Sequence, residues 1–232
     1  MHSYISRNSK AQLLLLLVFG MTTTLLSGCV EAIVGLNNSS ITEKNAAIYC
    51  YNKGLKVGQN NPKEQLHLFE EAHRIDPDLL PAARAAGRTA ARLTIIDKDN
   101  KNLYLEKMLK YATFLMPRDR ETADGDMLMA WYYTATNNYK QAIVYYKNAL
   151  QGPVDKEKSF TLEDESNKND IYASIGFEYG CMGEYEECYS YLKIFLEKNN
   201  NNPRTRRDVK TIRYIISRLE AYLGNKKFYE PN

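Results

Sequence analysis

The sequence predicts an all-α fold, an α-solenoid of stacked helical hairpins closed by a C-terminal capping helix. Three observations carry that expectation. In "NNYKQAIVYYKNAL", residues 137 to 150, Tyr139, Ala142, Tyr146 and Ala149 fall at steps of three and four and so share one helical face. Small or apolar residues at the ends of apolar helical stretches then recur at Ala72, Ala112, Ala149 and Phe195, roughly forty residues apart, as in a repeat array. After residue 40 no Val/Ile/Thr-rich run alternates between turn residues, which argues against strands. The 44% hydrophobic and 25% charged content fits a folded globular chain. Eighteen Tyr against one Trp suits half-buried seams, where a ring packs and its hydroxyl reaches water.

The elements follow in order. Residues 1–28 read as an export signal: Arg7 and Lys10, then the apolar run "AQLLLLLVFGMTTTLLSGC", too short and Thr-broken for a spanning helix. Leu26-Ser27-Gly28-Cys29 at its end resembles the bacterial lipobox. That resemblance implies cleavage before Cys29, acylation of its sulfur and new amino end, and a membrane anchor. Several acyl chains anchor durably where one holds only marginally. Val30 rather than Asp after the cysteine implies, by that signal family's sorting rule, the outer membrane and its periplasmic face. Loss of Arg7 and Lys10 brings the net charge of +3 close to neutrality, so nothing points to nucleic acid.

Residues 29–41 read as a lipid-anchored tether, and residues 42–202 as about four repeats. Ser40 and Glu43 have capping-box spacing, and Pro62 after Asn61 and Pro203 after Asn202 mark further helix starts. The units, roughly 46–79, 80–119, 123–156 and 169–202, resemble the tetratricopeptide repeat, a pair of antiparallel helices about thirty-four residues long. The fullest match is "IYASIGFEYGCMGEYEECYSYLKIFLEKNNNNP". Tyr172, Ile175, Gly176 and Tyr179 occupy the family's large, apolar, small and aromatic places, Gly183 and Tyr185 its turn, and Cys188 and Leu192 its second helix. Met129, Ala130, Tyr133, Tyr139, Ala142, Tyr146 and Ala149 repeat the pattern. Ala83, Ala86, Gly87, Ala90, Leu105, Leu109, Ala112 and Pro117 keep it with extra residues near "DKDNK". Gly54, Leu66, Phe69, Ala72 and Pro77 keep it with Lys53 at an apolar place, and a charged insertion, "DKEKSFTLEDESNKND", separates the last two units. In 203–232, Val209, Ile212, Ile215, Ile216, Leu219 and Leu223 form a stripe opposite a basic face, as a capping helix requires.

Catalytic signatures are missing from the sequence. His67 and His73 fall on opposite sides of one helix, and no metalloprotease motif, Gly-rich phosphate loop or nucleophile elbow occurs, so no enzyme, cofactor or metal is expected. Cys181 and Cys188 flank a turn and read either as a disulfide or as small packing residues.

In the resembled family the first helix of each pair lines a concave groove. Here those places hold Arg84, Arg88 and Arg92, then Met127 and Trp131, then Ala173 and Phe177. Guanidinium forks match carboxylates and large rings anchor apolar side chains. A partner site at Arg84, Arg88, Arg92, Met127, Trp131 and Phe177 would hold an acidic-aromatic or carboxylate-ended segment of an envelope protein. Against it stands a reading in which the arginines pair with neighbouring acids and Trp131 is core. Tyr51 and Leu55 replace the Lys and Asn clamp of some relatives. The expected function is therefore a non-enzymatic, lipid-anchored scaffold or assembly factor. The alternative is a small-ligand-binding accessory lipoprotein of a transporter, which requires an enclosed apolar pocket.

Overall fold

The computed structural model describes residues 43–119, 122–152, 165–199 and 206–227. The signal at 1–28, the tether at 29–41, Cys29, the Ser40 cap and the Asn202-Pro203 start lie outside the described residues. Those described form nine α-helices and no strand. They are α1 (Glu43–Val57), α2 (Pro62–Ile75), α3 (Leu80–Ile96), α4 (Lys101–Leu115), α5 (Asp124–Ala135), α6 (Tyr139–Gln151), α7 (Glu165–Met182), α8 (Tyr185–Asn199) and α9 (Arg206–Lys227). Each helix packs on the next in sequence, and α3 also packs on α5. That arrangement makes four hairpins in a row, with α9 lying on α8 at the end.

Local chemistry sets the helix ends. Asn61 caps α2 in both directions: its Oδ1 accepts from the Glu64 backbone N–H at 3.3 Å, and its Nδ2 donates to Glu64 Oε2 at 2.9 Å. Pro62 fills the first helical position, where no N–H is needed. The α5–α6 and α7–α8 turns are copies of each other. Asn137 (φ 60°) and Gly183 (φ 81°) take the left-handed conformation. Asn138 N–H then donates to Tyr133 O at 2.8 Å, and Glu184 N–H to Tyr179 O at 3.0 Å. Both are six-to-one closures of the Schellman type, which satisfy carbonyls that a helix end would otherwise orphan. The residues that lengthen the second unit form a short 3-10 turn, Lys98–Asn100, between α3 and α4.

The core is a continuous strip. One cluster runs from α1 to α5, with Phe69, Leu93, Met108, Tyr111 and Leu128 inside it. A second joins α5, α6 and α7 through Ile143, Tyr146, Ile171 and Ile175, and a third joins α7, α8 and α9 through Leu192, Phe195, Ile212 and Ile216. Trp131, Tyr133 and Tyr145 touch both of the first two clusters. The stacked pair Tyr133–Tyr145, with centroids 5.5 Å apart, returns as Tyr179–Tyr191 at the same spacing. The aromatic seam is thus repeated along with the backbone. Cys181 and Cys188 are free thiols, not bridged to each other. Cys188 is buried, and its burial pushes the thiol pKa up, so it serves as a small packing residue.

The two helices of the fourth hairpin approach closely at Gly176. A Cβ there would lie 2.9 Å from Leu192 Cδ2 and 3.3 Å from the Cys188 carbonyl oxygen. Gly224, on the exposed face of α9, meets nothing within 4 Å. Gly176→Ala is therefore expected to cost roughly 1–3 kcal/mol through overpacking. Gly224→Ala is expected to add about 0.5–1 kcal/mol by restricting the unfolded chain. Urea unfolding followed by circular dichroism reads both, and equal signs for the two variants would refute this account of the helix contact.

Candidate functional site

The arginine ladder of α3 has three rungs with three different environments. Arg84, Arg88 and Arg92 stand one turn apart on one face of the helix. The Arg84 side chain is only 6% exposed. Its Nη2 donates to Asp119 Oδ1 at 2.9 Å, its Nε pairs with Asp119 Oδ2, and its Nε lies 3.5 Å from Asp124 Oδ2. Arg88 pairs with Asp124 Oδ1. Thr122 lies between the two acids, its hydroxyl donating to Asp119 Oδ2 at 2.7 Å and standing 3.2 Å from Asp124 Oδ2. Both carboxylates are 1% exposed. This network ties α3 to the α4–α5 connection, and for Arg84 it matches the reading in which the arginines pair with neighbouring acids. Its guanidinium is the counter-charge for two buried carboxylates, and releasing it would strand them.

Arg92 is different. Its Nη2 donates to the neutral Gln65 Oε1 at 2.7 Å, and its Nε is buried without an acceptor. Among the described residues no carboxylate pairs with it. Arg88 and Arg92 form the wall between two neighbouring cavities. The one toward α1 and α2, about 470 Å³, is lined by Leu55, Gln65, Phe69 and Arg84 among others. The one toward α4 and α5, about 480 Å³, is lined by Ala91, Ile95, Lys101, Met108, Trp131 and Ala135 among others. Trp131 thus belongs both to the core seam and to the cavity wall.

The remaining predicted residues lie elsewhere. Met127 packs half-buried against the α5–α7 cluster and lines neither cavity. Phe177 is 42% exposed on α7, also outside both, and Ala173 is buried against α8 and α9. The structure therefore brings Arg88, Arg92 and Trp131 to one place and leaves Met127 and Phe177 apart from it.

Among the other polar groups, His67, His73 and Glu178 line neither cavity. His73 packs edge-on to Tyr111 and Phe114, with centroids 5.5 and 4.6 Å away. Burial, then Lys110 and Arg118, lowers its pKa, so the ring is held neutral. His67 is exposed. Glu178 is 4% exposed and accepts from the Thr134 hydroxyl at α5, while its second oxygen has no partner. Burial raises its pKa. No group of three or more His, Cys, Asp or Glu that could hold a metal occurs among the described residues.

No family model and no curated protein matches this chain. Solved structures do. A thermophilic TPR protein of Thermus thermophilus, TTC0263, aligns with a TM-score of 0.55 at 15% identity, covering 86% of this chain and 94% of that one. The MamA protein aligns with a TM-score of 0.52 at 12% identity, covering 82% and 97%. The fold is the tetratricopeptide-repeat solenoid. Here α3 packs on α5 as well as on its neighbours in sequence, and the two cavities lie on either side of α3.

Removing one partner from the Arg84 network leaves an unpaired buried charge, at a cost of about 3–5 kcal/mol. Asp119→Ala is therefore expected to lower the unfolding midpoint sharply, whereas Arg92→Gln changes it little. Urea titrations of the two variants check this, and a mild effect of Asp119→Ala would show that the network is dispensable.

Proposed function

We propose that this chain is a non-enzymatic protein-interaction scaffold, tethered to a bacterial envelope membrane through acylated Cys29. On this reading it binds a partner segment along the wall between α1, α3 and α5. One observation carries the binding half: Arg92, a cation with no carboxylate partner among the described residues, shares an apolar cavity with Trp131. A segment with an acidic residue beside a large apolar one matches that pair, a fork for the carboxylate and a ring for the side chain. The tetratricopeptide-repeat fold supports the reading, because stacked hairpins create extended concave surfaces suited to partner segments. Arg84 has no part in contacting the segment. It fixes α3 so that Arg88 and Arg92 point into the gaps.

The anchor half rests on the sequence, Leu26-Ser27-Gly28-Cys29 ending an apolar run. No helix of the described residues is long and apolar enough to cross a membrane. The position proposed for the solenoid is the periplasmic face of the outer membrane, in keeping with Val30.

Two experiments test the halves separately. Radiolabelled palmitate is expected to enter the chain and to be lost in Cys29→Ser, and label persisting in that variant would refute the anchor. Crosslinking and pull-down from native envelopes is expected to recover a protein with the native chain and lose it with Arg92→Gln/Trp131→Ala. Recovery of the same protein with both would place the contact elsewhere.

A further inference from the structure

The cavity between α3, α4 and α5 has features that a peptide groove does not require. At about 480 Å³ it lies within the usual range for small-molecule sites. Its floor and sides are mainly apolar, Ala91, Ile95, Met108, Trp131 and Ala135, with Thr94 and Thr134 among them and the Thr134 hydroxyl taken up by Glu178. Every charged residue in its lining is a cation, namely Arg88, Arg92 and Lys101. Arg88 is compensated by Asp124. Arg92 has only the Gln65 amide oxygen, and Lys101 only the Ala135 carbonyl oxygen at 3.0 Å. Among the described residues neither has a carboxylate partner. Two positive charges without counter-charge at the edges of an apolar cavity are electrostatically unfinished, and an anion with an apolar tail would complete them.

We infer that this cavity is a binding site for a small amphipathic monocarboxylate, its head group on Arg92 and its tail against Met108, Ile95 and Trp131. The fork geometry of Arg92 suits a carboxylate. Gln65 accepts from one terminal nitrogen and the buried Nε has no acceptor, so donors of the guanidinium remain unfilled. Lys101, on the first turn of α4, supplies a second positive charge with donors to spare beyond its bond to Ala135. Ile95, 75% exposed at the rim, marks where the tail or further apolar contact would cover the opening. The site uses the face described above but needs no protein partner, and occupancy would compete with any segment anchored on Trp131.

Trp131 is the single Trp of the chain and lines this cavity, so its emission responds to occupancy there. The test titrates decanoate into the full chain carrying Cys29→Ser, with decanol and decyltrimethylammonium as probes of equal tail and different charge. Decanoate is expected to give a saturable change in Trp131 emission, and to bind more tightly than decanol by about tenfold, the worth of a charge-assisted contact. The cationic probe should not bind. Arg92→Gln should remove the preference for decanoate over decanol, and Ala91→Phe, which fills the cavity, should abolish binding of both. Circular dichroism confirms that each variant stays helical. No saturable decanoate signal, equal affinity for decanol, or an unchanged preference in Arg92→Gln would each overturn the site. Because the titration uses purified protein, its failure leaves the pull-down result standing, and the reverse.

Discussion

The ion network formed by Arg84, Arg88, Asp119 and Asp124 sets the geometry on which the middle of the solenoid depends. Asp119 and Asp124 sit in the connection that leaves α4 and starts α5, almost wholly out of water. A lone carboxylate there would be strongly penalised, so the connection can bury itself only where two guanidiniums wait on α3. Each Asp is also held by the Thr122 hydroxyl or by its own position at the start of α5, which leaves few alternative arrangements of comparable energy. The network thereby fixes how α5 lies against α3. The gap between those two helices, and the Trp131 that faces it, follow from that placement.

Around this joint the packing is periodic. Gly54, Gly87 and Gly176 stand at the small position of three units, each facing a side chain of a neighbouring helix at a distance that a Cβ would violate. Small residues bring helices close; the Tyr133–Tyr145 and Tyr179–Tyr191 stacks fill the wider side of the same contacts. A hairpin that buries its face only against the next hairpin cannot be stable alone, which is why the apolar stripe of α9 ends the series. Val209, Ile212 and Ile216 close the last open face, while Lys210, Arg213 and Arg218 turn outward.

This periodicity made the fold legible. The small positions, the turn at Gly183 and the stripe on α9 are all consequences of local helical spacing, which a sequence displays directly. The site was legible only in part. Ladder spacing placed Arg84, Arg88 and Arg92 on one face, but it could not say which of them a buried acid would claim. The acids lie 35 and 36 residues further on, across a whole helix. A signal was present in "RDRETADGD", where three Asp crowd a connection between two apolar helices. Asp119, Thr122 and Asp124 were nevertheless passed over, since acidic connections usually face water. Lys101 was missed for a similar reason: it starts α4 but reaches the end of α5, a contact set by the crossing of hairpins rather than by either helix. Met127 and Phe177 hold groove places by analogy along the repeat, and neither lines the cavity that Trp131 lines.

On the proposed reading, one helix face carries structure and recognition together without conflict. Burial decreases from Arg84, at 6% side-chain exposure, to Arg88, at 19%, and the strength of the counter-charge decreases along with it. Arg84 is shared between two carboxylates, Arg88 has one, and Arg92 has a neutral amide. A cation held only by a neutral amide keeps most of its attraction for an incoming carboxylate, because no ion pair must be broken first. The inner rungs supply rigidity, so that the outer rung would meet the proposed carboxylate with little ordering cost. A replacement at Arg84 would therefore weaken binding only by loosening α3. One at Arg92 would weaken it directly while leaving the fold intact.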